Sequence, residues 1–346
     1  MDKEDIDLLL QTAQRWFADH SPLDERVARF REGHHPPPQA WAEMAELGWL
    51  ALTLPEDLGG LGAGTDAAFG LMRLAGRDAR PEPLGLHLLL APYVARHATE
   101  LAQPLMEGEM RLAMAEPLRA APGAPRDAST CSGEVSAIYG VEGATHLLVP
   151  TGRASQDDLV LVSLAHGGVS LTPARLVDGR STHTARLDNV PCVRVGRAAE
   201  GLDLAAAAQV ADATGSLEYA FEFTLDYLKQ RVQFGRPLSS QQTIQHKMAE
   251  VLCDLQQMQA LSRRLAAELQ SEPSGPWPTL PAAKAFVGRR ALRAMGVLIQ
   301  LSGGIGVTEE YRLTHLYRRM HVAAQLFGAP EYQLGRLSPS RSLLSA

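Results

Sequence analysis

The sequence has little of what marks metal-binding, redox-active and membrane proteins. Its 346 residues include three cysteines, Cys131, Cys192 and Cys253, which lie far apart and form no Cys-x-x-Cys pair. That absence excludes the zinc and thiol-redox motifs that depend on such spacing, and we expect three buried, inert thiols. The longest apolar run, around residues 87–95, is broken by Pro92. It is far shorter than the ~20 residues that cross a bilayer.

The chain also lacks an excess of positive charge. Its formal net charge is −6 and its pI is about 6.0. Arginines such as Arg318 and Arg319 stand among acids instead of forming a basic stripe, so nucleic acid is not a predicted partner. The opening residues 1–5 are Met-Asp-Lys-Glu-Asp, which is the opposite of a signal peptide's basic start. These features predict a cytoplasmic protein without membrane insertion.

One histidine pair, His34 and His35, resembles a metal-ligand pair. It precedes three prolines at residues 36–38, and an extended loop of that kind holds no fixed ligand geometry. We therefore predict a solvated loop there and no metal site in the chain.

The length and the apolar periodicity predict more than one compact unit. A chain of 346 residues exceeds the roughly 250–300 residues at which a single core stops growing. Apolar residues recur at helical spacing from Ile6 to Phe17 and from Trp41 to Leu47, which predicts helices in the first third. The glycines and proline of residues 54–62 predict a long turn between helices.

Beyond about Met110 the apolar pattern changes to short runs separated by Gly, Pro, Ser and Asp, which indicates strands. The predicted strands cover residues 111–115, 147–149, 159–162 and 169–171. Residues 120–133 are rich in Ala, Pro, Gly and Ser and are predicted to form an irregular loop.

After Gly196 the helical period returns in four stretches, which predicts an antiparallel bundle. Their apolar faces run through Leu217 and Leu228, through Met248 and Leu265, through Met295, and through Leu313 to Phe327. The predicted fold class is α+β, mainly α. The predicted domains are an N-terminal helical domain (1–108), a small middle β-barrel-like domain (109–197) and a C-terminal four-helix bundle (198–346).

Three sequence segments, in this order, resemble the signatures of the acyl-CoA dehydrogenase family. Residues 47–60 contain Leu-Gly-Trp-Leu and Leu-Pro-Glu-Asp-Leu-Gly-Gly. Residues 231–238 read Arg-Val-Gln-Phe-Gly-Arg-Pro-Leu, and residues 300–306 read Gln-Leu-Ser-Gly-Gly-Ile-Gly. The resemblance spans nearly the whole chain and implies that family's fold and its reaction, the dehydrogenation of an acyl-CoA thioester to the 2-enoyl-CoA with FAD as the cofactor.

The resemblance also implies an oligomer, because in the family these C-terminal residues reach across a subunit interface to the nucleotide half of a neighbour's FAD. An arginine suits a pyrophosphate, a phenyl ring offers a flat apolar face, and glycines let backbone N–H groups approach phosphate. The implied FAD contacts are Arg231, Gln233, Phe234, Gln241, Gln242, Gln300, Gly303 and Gly304. The resemblance further implies electron-transfer flavoprotein as the electron acceptor.

The catalytic base of the family is missing. Most members place a Glu directly before Gly-Thr after the last bundle helix, where this chain has Phe327 before Gly328. Other members place it on the first C-terminal helix, where this chain has Ala205. Glu331 is a weak alternative, and Asp203 and Asp212 are weaker ones.

The middle segment departs from the family as well. Members carry Thr-Glu-Pro, a Gly-Ser-Asp segment and two tryptophan-containing words that serve the flavin ring. This chain keeps only Ala115-Glu116-Pro117 and has neither tryptophan. Residues that serve a neighbour's flavin are therefore retained, while those that serve its own flavin and substrate are lost.

Three hypotheses follow from this asymmetry. The chain is the base-lacking subunit of a heteromeric acyl-CoA dehydrogenase, an α2β2 complex of the kind used on steroid side chains, in which a catalytic partner supplies the base. Alternatively, it is a self-sufficient homo-oligomer with an unusual base. The third is a non-enzymatic scaffold or acyl-CoA-binding protein that has kept only the fold.

Overall fold

The computed structural model describes residues 3–20, 38–120, 129–154 and 156–337. His34 and His35 lie outside these ranges. Within them, one compact unit (unit 1) comprises the residues up to Ala68 together with Pro81–Ala208. The second (unit 2) comprises Phe69–Arg80 together with the described residues from Gln209 onward. The predicted three-domain division stays a prediction.

The first third of the chain is helical, as predicted. Helix α1 (Lys3–Asp19) is amphipathic and buries Ala13 and Phe17, while α2 (Pro38–Glu46) buries Trp41 and Met44. Between α2 and α3 (Thr65–Arg77) lie two short 3₁₀ turns, Trp49–Ala51 and Glu56–Leu58, and the second of them lies within the turn predicted for residues 54–62. The helices are α1 (Lys3–Asp19), α2 (Pro38–Glu46), α3 (Thr65–Arg77), α4 (Leu84–His97) and α5 (Ala102–Met106).

The strands of unit 1 follow. They are β1 (Leu112–Met114), β2 (Arg119–Ala120), β3 (Thr130–Val135), β4 (His146–Pro150), β5 (Asp158–Ser163), β6 (Val169–Arg175) and β7 (Ser181–Arg197). They form one sheet in the order β1-β4-β5-β7-β3-β2, with β6 also paired to β7. The β1–β4 pair is parallel and the other pairs are antiparallel.

The sheet corrects two sequence predictions. Strand β3 begins at Thr130, inside the stretch predicted to be an irregular loop, and β7, with 17 residues, was missed. The local composition does not predict either strand. Strand β7 has polar residues on its exposed side and is stabilised by pairing with β3, β5 and β6.

The cysteine prediction was also partly wrong. Cys131 is buried in the core of the sheet, and burial is the main reason that the pKa of its thiol is raised to about 11, with a smaller contribution from Cys192. Cys192 is half-buried and Cys253 is exposed. Cys253 lies on a helix whose opposite face packs against the bundle, so its exposure is decided by which face turns inward.

Unit 2 contains the helical bundle. Its helices are α6 (Ala198–Gln230, of which the residues from Gln209 belong to this unit), α7 (Gln242–Ser271), α8 (Thr279–Phe286), α9 (Leu292–Ser302), α10 (Arg312–Gln325) and α11 (Pro330–Leu337). A short π-helical segment, Val287–Ala291, joins α8 to α9, and a two-stranded hairpin, β8 (Val232–Gln233) and β9 (Arg236–Pro237), joins α6 to α7. The order of helices, strands and bundle confirms the predicted fold class.

The apolar stripes of the bundle face its core as predicted. Leu217, Val251, Leu265, Met295 and Leu316 are at most 2% exposed. Phe327, predicted on the face of the last bundle helix, lies beyond the end of α10 at Gln325, yet it is also buried. Among the described residues, no helix combines the length and the apolar character that spanning a bilayer requires.

Candidate functional site

The hairpin after α6 presents an aromatic ring to the outside of unit 2. Strands β8 and β9 are joined by Phe234 and Gly235, whose φ angles are 54° and 76°. A tight two-residue turn needs positive φ at both positions, which glycine adopts easily and phenylalanine does not. Phe234 is nevertheless 92% exposed. A strained turn that displays a bare aromatic ring indicates a function for that ring.

Around this tip the polar side chains are exposed. Arg231 and Gln233 are exposed, and the N–H of Leu238 bonds the carbonyl of Arg231 at 2.9 Å, closing the base of the hairpin. Gln241 is half-buried at the start of α7, and its side-chain oxygen accepts a hydrogen bond from Arg236 at 2.7 Å. Gln242 is the first, exposed residue of α7. The hairpin thus leads directly into the N-terminus of a long helix.

The second half of the predicted site lies where α9 ends. Gln300 is exposed, and Gly303 ends the helix with φ 70° and ψ −150°, a conformation that is essentially restricted to glycine. A Cβ added at Gly303 or Gly304 would meet no atom within 4 Å. The backbone is therefore open to a ligand at both positions.

The register of α7 against α8 and α9 brings these two halves to the same end of the bundle. Thr279 donates from its backbone N–H to Glu268 at 2.9 Å, and Arg290 donates to Asp254 at 2.6 Å. From the first contact to the second, the residue number rises from Thr279 to Arg290 in one segment and falls from Glu268 to Asp254 in α7. The two helical segments are therefore antiparallel. Ten residues after Arg290 stands Gln300, and ten residues before Asp254 stands Ile244. Gln300 is therefore level with the first turn of α7, next to the hairpin.

This end of unit 2, hereafter the hairpin end, exposes apolar as well as cationic side chains. Val232 is 53% exposed, Ile305 is 45% exposed and Val307 is 70% exposed. Exposed apolar groups beside permanent cations are typical of surfaces that bind another molecule.

The two positions at which the resemblance implies a catalytic base hold buried apolar side chains. Phe327 is 1% exposed and Ala205 is 0% exposed. Phe327 has a φ of 57°, and the side-chain amide of Gln333 donates to its carbonyl at 3.4 Å. No side chain at either position can accept a proton.

The remaining acids have other surroundings. Asp212 accepts two hydrogen bonds from Arg319, of 2.8 and 2.5 Å, so its carboxylate is paired within the fold. Glu331 is exposed in the first turn of α11. Asp203 is half-buried on α6. In unit 1, Glu116 of the retained Ala-Glu-Pro word is paired with Arg153.

Sequence reasoning missed Lys284, the most deeply buried cation of unit 2. It is 0% exposed, and its ammonium donates to the carbonyls of Ala323, Ala324 and Gly328 at 2.7, 3.1 and 3.2 Å. The sequence feature that could have predicted its burial is a lone lysine inside the apolar stretch of residues 282–286. Lys284 fixes the end of α10 and the loop that carries Phe327.

No cluster of metal-ligating side chains occurs in the described ranges.

Comparison with known proteins identifies the family. Residues 3–103 match the model of the acyl-CoA dehydrogenase N-terminal domain, and residues 195–340 match that of the C-terminal domain. The chain belongs to the acyl-CoA dehydrogenase family, whose enzymes are flavin oxidoreductases that act on a CH–CH bond of an acyl-CoA and use FAD.

Three relatives show how far the similarity extends. Acyl-CoA dehydrogenase IpdE2 of Mycobacterium tuberculosis is 31% identical over 308 residues, which cover 86% of this chain and 85% of the relative. A solved variant of the Tcur3481-Tcur3483 steroid ACAD is 28% identical with a TM-score of 0.88, covering 96% of each chain. The ChsE4-ChsE5 complex from Mycobacterium tuberculosis is 20% identical with a TM-score of 0.87, covering 100% of this chain and 99% of the other; it supports the fold alone.

The hairpin end fits the nucleotide part of FAD. The open backbone at Gly303 and Gly304, the exposed guanidinium of Arg231 and the exposed ring of Phe234 match a pyrophosphate and an aromatic group in chemistry. Phe327 and Ala205, at the two positions where the resemblance implies a base, have no side-chain group that accepts a proton.

Proposed function

We propose that this chain is the base-lacking subunit of a heteromeric acyl-CoA dehydrogenase, and that its hairpin end completes an FAD site on a catalytic partner. The observation that carries the proposal is the burial of Phe327 and Ala205 at the two base positions. Abstraction of the substrate's α-proton needs a base within hydrogen-bond reach, so the base comes from the partner.

The chain's contribution is cofactor binding. FAD, when bound, supplies the acceptor for the β-hydrogen of the acyl-CoA. Arg231 offers planar, permanently charged donors to the pyrophosphate, and the N–H groups of Gly303 and Gly304 approach it from the end of α9. Phe234 covers an aromatic face of the nucleotide, and Gln233, Gln241, Gln242 and Gln300 offer amide donors and acceptors around it.

The oligomeric form expected from this arrangement is an α2β2 complex with a longer relative that retains the catalytic Glu. One named relative supports a heteromer, because the Tcur3481-Tcur3483 steroid ACAD carries two chain names. Thioesters of steroid-derived acids are therefore the first substrates to assay, with electron-transfer flavoprotein as the acceptor.

The decisive experiment is co-expression of this chain with a longer acyl-CoA dehydrogenase from the same genome that retains the catalytic Glu. The complex should be yellow and active, whereas this chain purified alone should be colourless and inactive. Within the complex, Arg231→Gln should weaken FAD binding roughly tenfold or more, because a hydrogen bond to a charged group is lost. Arg263→Gln, which removes an exposed arginine from α7, is the matched control and should retain FAD.

Other outcomes favour the other hypotheses. If the single chain is yellow and its flavin is bleached by acyl-CoA, the chain is a self-sufficient homo-oligomer, and Glu331→Gln should abolish bleaching. If no complex retains FAD, the chain is a scaffold or acyl-CoA-binding protein.

A further inference from the structure

Tyr311, the residue before α10, lies between the two halves of the hairpin end. It is 7% exposed. The centre of its ring is 5.1 Å from that of Phe223 and 6.1 Å from that of Tyr227. Both partners lie on α6, one turn apart, and the carbonyl of Tyr227 accepts a hydrogen bond from the N–H of Arg231 at 2.9 Å. Tyr311 therefore packs against the end of α6, from which the hairpin starts.

The same tyrosine reaches the other half through its hydroxyl. This hydroxyl donates to Oγ of Ser302 at 3.3 Å, and Ser302 in turn donates to the carbonyl of Leu298 at 3.0 Å. Ser302 is 2% exposed and is the last residue of α9; it directly precedes the 3₁₀ segment Gly303–Val307, hereafter the glycine turn. Burial raises the pKa of Tyr311, so the phenol stays protonated and keeps its donor. Tyr311 thus contacts both halves of the hairpin end.

The glycine turn is held in place by α9 and by the start of α10. A Cβ at Gly306 would lie 2.5 Å from the carbonyl oxygen of Ile299, so the turn packs closely on the last turn of α9. Oγ1 of Thr314, in the first turn of α10, donates to the carbonyl of Gly306 at 2.8 Å. The N–H of Thr314 donates to the carbonyl of Tyr311 at 3.0 Å. The start of α10 therefore holds one end of the turn through Tyr311 and the other through Thr314.

The ring of Tyr311 contributes more to this connection than its hydroxyl does. An O–H···O hydrogen bond is usually about 2.5–3.0 Å long, and the bond from Tyr311 to Ser302 is longer, at 3.3 Å. The two ring contacts have interplanar angles of 49° and 70°, which are tilted and edge-to-face arrangements that aromatic pairs prefer. Tyr311→Phe therefore keeps most of the connection, whereas Tyr311→Leu loses it.

We propose that Tyr311 is a positioning residue of the FAD site, which holds the end of α6, and with it Arg231, at a fixed separation from the glycine turn. A pyrophosphate that is bound by a guanidinium on one side and by backbone N–H groups on the other needs both at a set distance. Preorganisation of the two halves lowers the cost of ordering them when the cofactor binds. Tyr311 acts through Arg231 and the turn.

The identity of the ligand rests on the proposed function, but the coupling of the two halves is a property of the chain alone. Amide hydrogen exchange of the full chain, purified without FAD, measures this coupling. The N–H of Leu238 bonds the carbonyl of Arg231 at 2.9 Å and reports the hairpin, and the N–H of Thr308 bonds the carbonyl of Ile305 at 3.0 Å and reports the glycine turn.

Tyr311→Leu should accelerate exchange at Leu238 and Thr308 about tenfold, while amides in the middle of α7 keep their rates. Tyr311→Phe should change both rates by at most about twofold, because the ring contacts remain. The matched control is Tyr317→Leu, which removes a half-buried tyrosine of α10 whose ring contacts His321 and should leave both rates unchanged. A general loss of stability would instead accelerate exchange throughout unit 2.

A second variant keeps the test open if Tyr311→Leu does not fold. Tyr227→Leu removes a half-buried ring from α6, and through Tyr311 it should accelerate exchange at Thr308 about threefold as well as at Leu238. An unchanged rate at Thr308 in every variant that folds, or equal acceleration of all amides of unit 2, would overturn the proposal.

Flavin titration of the complex with the catalytic partner tests the consequence for the cofactor. Tyr311→Leu should weaken FAD binding about tenfold and Tyr311→Phe at most about twofold. If the complex with the original chain binds FAD and Tyr311→Leu binds it equally well, the positioning role is wrong and the proposed function stands. If the complex with the original chain does not bind FAD, the proposed function is wrong, and the exchange rates at Leu238 and Thr308 still decide whether Tyr311 couples the two halves.

Discussion

The carboxylate of Asp212 is held by the guanidinium of Arg319 through two hydrogen bonds, 2.8 Å from Nε and 2.5 Å from Nη2. Only 5% of the Arg319 side chain and 15% of the Asp212 side chain are exposed. The pair joins α6 to α10 inside unit 2. Asp212 therefore stabilises the bundle through this ion pair.

Asp212→Asn should destabilise the chain by about 3 kcal/mol, because a buried guanidinium loses its counter-charge. Urea unfolding measures the change. The matched control is Asp226→Asn, which removes one partner of the exposed pair between Asp226 and Lys229 and should cost at most about 0.5 kcal/mol. The double variant Asp212→Leu with Arg319→Met should recover most of the loss. A stable Asp212→Asn single variant would contradict the structural role of the pair.

Lys284→Met should lower the free energy of unfolding by about 3 kcal/mol. The ammonium satisfies carbonyls at the C-terminal end of α10, which have no partner within the helix, and methionine fills the space without donating. The midpoint of thermal unfolding reports the effect. Lys247→Met removes an exposed lysine paired with Glu250 and serves as the control, with a change within about 0.5 kcal/mol. Equal midpoints for the two variants would show that the three carbonyls do not depend on Lys284.

Phe234→Asn should separate stability from function. Asparagine tolerates positive φ, and Asn-Gly is the favoured pair for a two-residue hairpin turn, so the isolated chain should unfold at the same free energy or up to about 1 kcal/mol higher. In the complex, the same variant should lose FAD affinity, because the exposed ring is gone. Denaturant unfolding and flavin titration measure the two effects. If Phe234→Asn lowers the free energy of unfolding of the isolated chain and the complex still retains its flavin, both expectations are wrong.

The stability of the chain should fall as the pH drops below about 6.5, in part because of His87. Burial lowers the pKa of this imidazole to about 4, and its Nε2 bonds the carbonyl of Leu50 at 2.9 Å. The unfolded chain, with a pKa near 6.5, takes up the proton first, so stability is lost between about pH 6.5 and pH 4. A single group with this shift contributes about 3 kcal/mol.

His87→Gln should flatten this part of the pH dependence in unfolding experiments between pH 7 and pH 4. His246→Gln, a change of an exposed histidine on α7, should leave the slope as it is in the original chain. The same slope in all three proteins would mean that His87 is protonated in the folded state.

Local signals were sufficient for the elements that carry their own pattern. The apolar stripes of α7 and α9 repeat at helical spacing, and the run of residues 159–162 is long enough to predict β5. The sequence also identified the residues of the hairpin end, because Arg231, Phe234 and Gly303 stand in motifs with a fixed order. The absence of an acid at Phe327 and Ala205 was equally visible in the sequence.

The sequence alone determined the family, the order of helices, strands and bundle, and the apolar residues Ala205 and Phe327, since each depends on residue identity and on spacing along the chain. Only the tertiary structure decided where strand β7 pairs, that Cys253 faces outward and that Asp212 is neutralised by Arg319. It also placed Tyr311 between the end of α6 and the glycine turn. These features depend on groups far apart in the chain that meet only after folding, so no local pattern encodes them.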